Sequence, residues 1–148
     1  MKKILHVLLN KKTVLYLLLL IAFGLVGCAG VGRFVPADER ILFDEKGAGQ
    51  GSFSRNALTV AYSYRLAEGS ITVGGDVDYS WAVDSLDVHL LFLDAAGTVL
   101  QWKMVYSSGY RVADSWRTER TFQQTLAVPP GAAGISFGYS AQPRTSYR

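Results

Sequence analysis

The sequence predicts an all-β fold, an antiparallel β-sandwich of about seven strands that follows an N-terminal anchor. Three observations carry this expectation. Apolar and polar residues alternate with period two from Leu58 almost to the C-terminus; turn residues punctuate the alternation at short, regular intervals; and no stretch after residue 32 has the 3.6-residue apolar period of an amphipathic helix. A small closed β-barrel would use the same strand signals and is the competing architecture.

The first 28 residues stand apart. Lys2, Lys3, Lys11 and Lys12 supply positive charge with no acidic residue among them. An almost wholly apolar run follows from Thr13 to Phe23, and then small residues, Gly24 and Gly27, lead to Cys28. Positive, apolar, small is the order of an export signal. The stretch Leu25-Val26-Gly27-Cys28 resembles the lipobox of bacterial lipoproteins. The resemblance implies cleavage between Gly27 and Cys28 and a lipid on the Cys28 thiol. It also implies sorting to the outer membrane, because Ala29 stands where an aspartate would signal retention in the inner membrane. The alternative is an uncleaved helix: residues 13–32 are uncharged, about the length that crosses a bilayer. Either way the lysines stay inside and the remainder lies outside the cytoplasm.

The four signal lysines account for the formal charge of +3; with them removed, 11 basic and 12 acidic residues leave about −1. A near-neutral, mixed-charge domain gives no electrostatic argument for nucleic acid as a partner. The single cysteine excludes an internal disulfide, and with His89 as the one histidine after residue 28 no Cys/His metal site can be assembled. No metal or cofactor is expected.

Residues 28–56 read as the lipidated N-terminus and a flexible tether, with 57–148 as the sandwich. Within the tether, Ile41-Leu42-Phe43 could form a short strand or dock on the domain, and Gly47-Ala48-Gly49-Gln50-Gly51-Ser52 reads as a flexible glycine-rich connection. It is not a phosphate loop: no helix pattern follows, and Lys46 precedes the glycines.

Leu58, Val60, Tyr62, Tyr64 and Leu66 share one face of a first strand. A turn at Glu68-Gly69 leads to a second, carrying Ile71, Val73, Val77, Tyr79 and Trp81 inward, with Gly74-Gly75 suggesting a bulge or bend. Leu86 to Leu93 places Val88, Leu90 and Phe92 inward; Leu91 and Leu93 break the alternation, which predicts a central strand covered on both faces at its end. Asp94-Ala95-Ala96-Gly97 is a tight turn into Thr98–Tyr106, where Leu100, Trp102, Met104 and Tyr106 would share a face. Ser107 to Glu119 is the longest polar connection. Arg120–Val128 resumes strand character until Pro129-Pro130-Gly131, and Ile135, Phe137 and Tyr139 belong to a last strand ending at Gln142-Pro143. The pieces Leu91–Gly97 and Val128–Gly131 resemble the turn chemistry of immunoglobulin-like modules in bacterial lipoproteins, which implies an immunoglobulin-like sandwich and no particular activity.

Candidate chemistry is sparse. His89, between Val88 and Leu90 and near Asp87, lacks a Gly-x-Ser-x-Gly nucleophile elbow and reads as an outward strand histidine. Asp76, Asp78, Asp84 and Asp87 lack the spacing of a calcium loop, and Asp76 and Asp78, about 7 Å apart on one face, read as a solvated strand face. Tyr106, Tyr110, Arg111, Trp116 and Arg117 are of the residue types that dominate binding hot spots and sit on or beside the longest connection, which makes it a candidate interaction loop. The competing assignment for Tyr106 and Trp116 is the end of the core. The resulting expectation is a non-enzymatic binding module held at the membrane through Cys28, with an unidentified envelope protein as partner. The alternative is a carrier of lipid or another small ligand.

Overall fold

The computed structural model describes residues 30–56, 58–79, 83–109 and 120–143. The signal, the lipobox with Gly27 and Cys28, and the alternative membrane helix lie outside the described residues. The compact unit that holds the sandwich begins at Gly32.

The strands are β1 (Ile41–Leu42), β2 (Ala48–Arg55), β3 (Leu58–Ala67), β4 (Ser70–Tyr79), β5 (Val83–Leu93), β6 (Val99–Ser107), β7 (Thr121–Ala127) and β8 (Gly134–Pro143). They form two antiparallel four-stranded sheets in the orders β2-β3-β4-β7 and β1-β8-β5-β6. The sheets pack face to face and do not close into a barrel. The chain crosses between them at β1–β2, β4–β5, β6–β7 and β7–β8, and β4 pairs with β7 while β5 pairs with β8. The same interlock relates strands B and C to E and F in an immunoglobulin sandwich.

Most of the interior consists of residues that the alternation pointed inward, joined by Phe53 of the expected tether and by Val105. Leu58, Val60, Tyr64, Ile71, Val73 and Val77 from one sheet meet Val88, Leu90, Phe92, Ile135 and Phe137 from the other. At the centre the Phe137 ring lies 5.6 Å from those of Phe53 and Tyr62 and 6.4 Å from that of Phe122. These tilted contacts add to the burial of the rings themselves. Gln124 also faces inward, and its amide donates to the Val105 carbonyl at 3.2 Å, linking the two sheets where β7 passes β6.

The glycine-rich stretch corrects the expected tether. Residues 48–55 form β2, paired with β3 without a break from Ala48↔Arg65 to Arg55↔Leu58. Gly49 faces Tyr64 and Gly51 faces Tyr62 across the ladder. A Cβ on Gly49 would stand 2.6 Å from the Tyr64 ring, and one on Gly51 would stand 2.9 Å from the Tyr62 hydroxyl. The rings lie over bare backbone, so each glycine is covered by its partner's side chain; sheets recover in this way the packing that an isolated glycine forfeits. Gly75 repeats the arrangement between Tyr62 and Phe122: its Cβ would run into the Ala61 carbonyl, with the Phe122 ring 3.2 Å away. The register passes through Gly74-Gly75 unbroken on both sides, so the expected bulge is absent there.

The irregularities fall in the other sheet. The β5–β6 register shifts between Val88 and His89 and between Phe92 and Leu93, leaving Val105 and Leu100 as the extra residues of β6. The shift at Val105 changes the parity of β6. Val105 and Tyr106 are both buried, while Trp102 and Met104 stand outward opposite Leu91 and His89. The expected single face of Leu100, Trp102, Met104 and Tyr106 is therefore split.

β5 is central, as Leu91 and Leu93 predicted, and its outer cover is the segment leading into β1. Gly32 and Arg33 bond with Val99, Val35 N donates to Gly97 O, and Phe34 bridges Thr98. The chain then passes a 3-10 turn at Ala37–Glu39 to β1, which pairs with β8. This strap buries Val35 against Leu91, Leu93 and Val99. It also satisfies the buried Ser136 hydroxyl, since Ser136 Oγ donates to Glu39 O at 2.7 Å. Arg40 pins the strap: its Nε donates to Val35 O at 2.7 Å, and its guanidinium lies 4.6 Å from the centre of the Phe34 ring.

Candidate functional site

The alternation that points aromatics inward on β2-β3-β4-β7 points short polar residues outward. Gln50, Ser63, Gly74 and Gln123 are paired in one row across all four strands. The central two are small and the outer two long, so the row is hollow in the middle. The next row, Ser52, Ala61, Asp76 and Thr121, continues the hollow; the row on the other side is Ala48, Arg65, Thr72 and Thr125. Two open troughs of about 670 and 500 Å³ result, and Gln50, Ser63, Gly74 and Gln123 line both.

The chemistry of this tray is hydroxyl, amide and exposed backbone. Asp76 marks one trough and Arg65 the other, and Thr72 and Thr125 hold each other at 2.9 Å between hydroxyls. Such a face offers hydrogen bonds to a flat polar partner while exposing no large apolar side chain. Nothing in the sequence singled it out, because outward polar residues on an alternating strand read as ordinary solvated surface. A usable sign was the set of residues no larger than serine at the alternating positions Ala48, Ser52, Ala61, Ser63 and Gly74 on three successive strands.

The sequence-nominated residues are scattered. Tyr106 is buried at 6% exposure in the core, so it belongs to the packing and not to a contact surface. Tyr110, Arg111, Trp116 and Arg117 lie outside the described residues.

His89 is half-buried on the outer face of β5, its ring edge-on to Trp102 at 4.8 Å. Burial pushes its pKa below the ordinary imidazole value, against the opposing pull of Asp87. Ser107 Oγ donates to Asp87 Oδ1 at 2.6 Å, so that hydroxyl is committed to the carboxylate rather than to the imidazole. Asp78 pairs with Arg120 at 2.7 Å, and Arg120 also lies 4.9 Å from the centre of the Tyr79 ring. Asp94 caps its own turn: its pKa is lowered first by the Thr98 backbone amide, which donates to Oδ1 at 2.8 Å. Among the described residues, no cluster of three or more His, Cys, Asp or Glu side chains is placed to hold a metal ion. No family model, curated protein or solved structure matches this chain.

Proposed function

We propose that this chain is a lipid-anchored protein of the bacterial cell envelope, held at the outer membrane through Cys28 and facing the periplasm. Its sandwich is a non-enzymatic module that binds another envelope protein. The carrying observation is the polar tray: a four-stranded face hollowed along Ser63 and Gly74, rimmed by Gln50 and Gln123, with Arg65 and Asp76 at its two ends. Neutral donors and acceptors spread over a rigid sheet suit recognition of a flat polar surface, and the pairing of four strands holds them in place without further ordering. Phe53, Tyr62, Phe122 and Phe137 pack against one another between the sheets, which favours the outer troughs as the place for a carried ligand.

The test is photo-crosslinking in intact bacteria with the probe at position 63 or 123, and at Asp38 on the strap as a control. One dominant protein adduct from both tray positions, lost in Ala61→Trp, is the expected result. Adducts no stronger or more specific than those from position 38 would remove the tray from the proposal. The mass of the N-terminal peptide from the same cells reports whether Cys28 carries lipid.

A further inference from the structure

The correction to the tether changes what the anchor does to the domain. Gly32 already bonds to Val99 at the start of β6, so only Ala29, Gly30 and Val31 separate it from Cys28. Four residues fully extended span at most about 14 Å. With a lipid on Cys28, a tether this short would keep the start of β6 within that distance of the headgroups.

The β6 edge has a suitable composition. Five large apolar side chains are exposed among the described residues, and three of them, Phe34 at 62%, Trp102 at 39% and Met104 at 51%, belong to β6 or to the segment bonded to it. Phe34 lies opposite Thr98, four residues before Trp102, so at most about 13 Å of strand separates them. Arg33 and Lys103 are exposed on the same two segments. Aromatic rings with flanking cations are the composition of a membrane interface, where the rings enter the headgroup level and the cations meet anionic lipid. Of the acidic side chains nearest in the chain, Glu39 pairs with Arg55 at 3.2 Å and Asp94 accepts from its own turn, while Asp38 stands exposed on the strap.

We infer that the β6 edge, through Phe34, Trp102 and Met104 with Arg33 and Lys103, docks on an anionic bilayer surface and orients the sandwich. The tray, on the outer face of the other sheet, then stands clear of the membrane. This inference rests on Cys28 being the point of attachment.

The test uses the full-length protein purified from bacterial membranes and reconstituted in phosphatidylethanolamine–phosphatidylglycerol vesicles. A nitroxide is placed at Met104→Cys or, on the tray, at Ser63→Cys; an acylated Cys28 takes no label. The label at 104 should be several-fold more accessible to oxygen than to a water-soluble nickel chelate, and the label at 63 the reverse. Arg33→Glu with Lys103→Glu should return the label at 104 to water without lowering the melting temperature. Acylated Cys28 with both labels equally exposed to water would overturn the docking face and leave the anchor standing. An unmodified Cys28 would remove the lipid anchor and with it the short tether on which the docking face rests, overturning both.

Discussion

The two sheets solve the same problem in opposite ways. β2-β3-β4-β7 has one dry face and one wet face, and its difficulties are met from within: where a glycine leaves a gap at Gly49, Gly51 or Gly75, a neighbouring ring covers it. β1-β8-β5-β6 has two covered faces over part of its area. Its second cover, the strap through Val35, comes from residues distant in sequence. One-sided sheets obey alternation, and two-sided sheets break it wherever the second layer lands. Leu91 and Leu93 show where that is.

The contrast can be tested by substitution, beginning with the shared interior. Phe137, fully buried on β8, meets three aromatic rings of the opposite sheet. Phe137→Ala should cost about 3–5 kcal/mol in chemical denaturation, with both sheets lost in a single transition. Two separate transitions would mean that the sheets are independent units.

Gly75→Ala tests glycine–aromatic packing in the one-sided sheet. The new methyl meets the Ala61 carbonyl and the Phe122 ring, and an overpacked site of this kind should lose about 2–3 kcal/mol. Gly69→Ala is a control of a different kind: open space surrounds it, and only its φ of +78° resists a side chain. If Gly75→Ala were neutral, the close approach at the centre of β4 would not constrain the sheet.

Val35→Ala tests the strap. Removing two buried methyl groups should cost roughly 2 kcal/mol. Hydrogen exchange should quicken at Gly32 and Val99, whose amides bond strap to strand, while the β3–β4 amides keep their protection. Uniform loss across both sheets would show the strap to be integral to the core.

The smallest effect is that of pH. Burial holds the His89 imidazole below its ordinary value of 6.5, so the folded state binds its proton less readily than the unfolded state. Stability from this group is therefore complete above that value and falls as pH drops through it toward the lower folded value. Melting temperatures between about pH 7.5 and 5.5 should decline slightly, and His89→Gln should flatten the slope. A slope unchanged in the variant would assign the dependence to other groups.

Much of the architecture was readable in the alternation. Leu58, Val60, Ile71, Val73, Val88, Leu90, Phe92 and Phe137 all face the core as their spacing predicted, and the turns at Glu68-Gly69 and Asp94–Gly97 fall where their residues placed them. The glycines of β2 were misleading because a strand of small residues is locally indistinguishable from a linker; the rings that stabilise it arrive from β3. Tyr106 was misplaced for a related reason. The extra residue at Val105 shifts the parity of β6, and that shift answers to β5, not to local sequence.

The candidate site divides along the same line. The proposed anchor at Cys28 rests on the order of residues alone, because an export signal is linear chemistry. The tray exists only after Gln50, Ser63, Gly74 and Gln123, from four strands, are brought into one row. Local periodicity decides which face of a strand each residue occupies; only pairing between distant strands decides which residues become neighbours on that face, and whether another layer covers them.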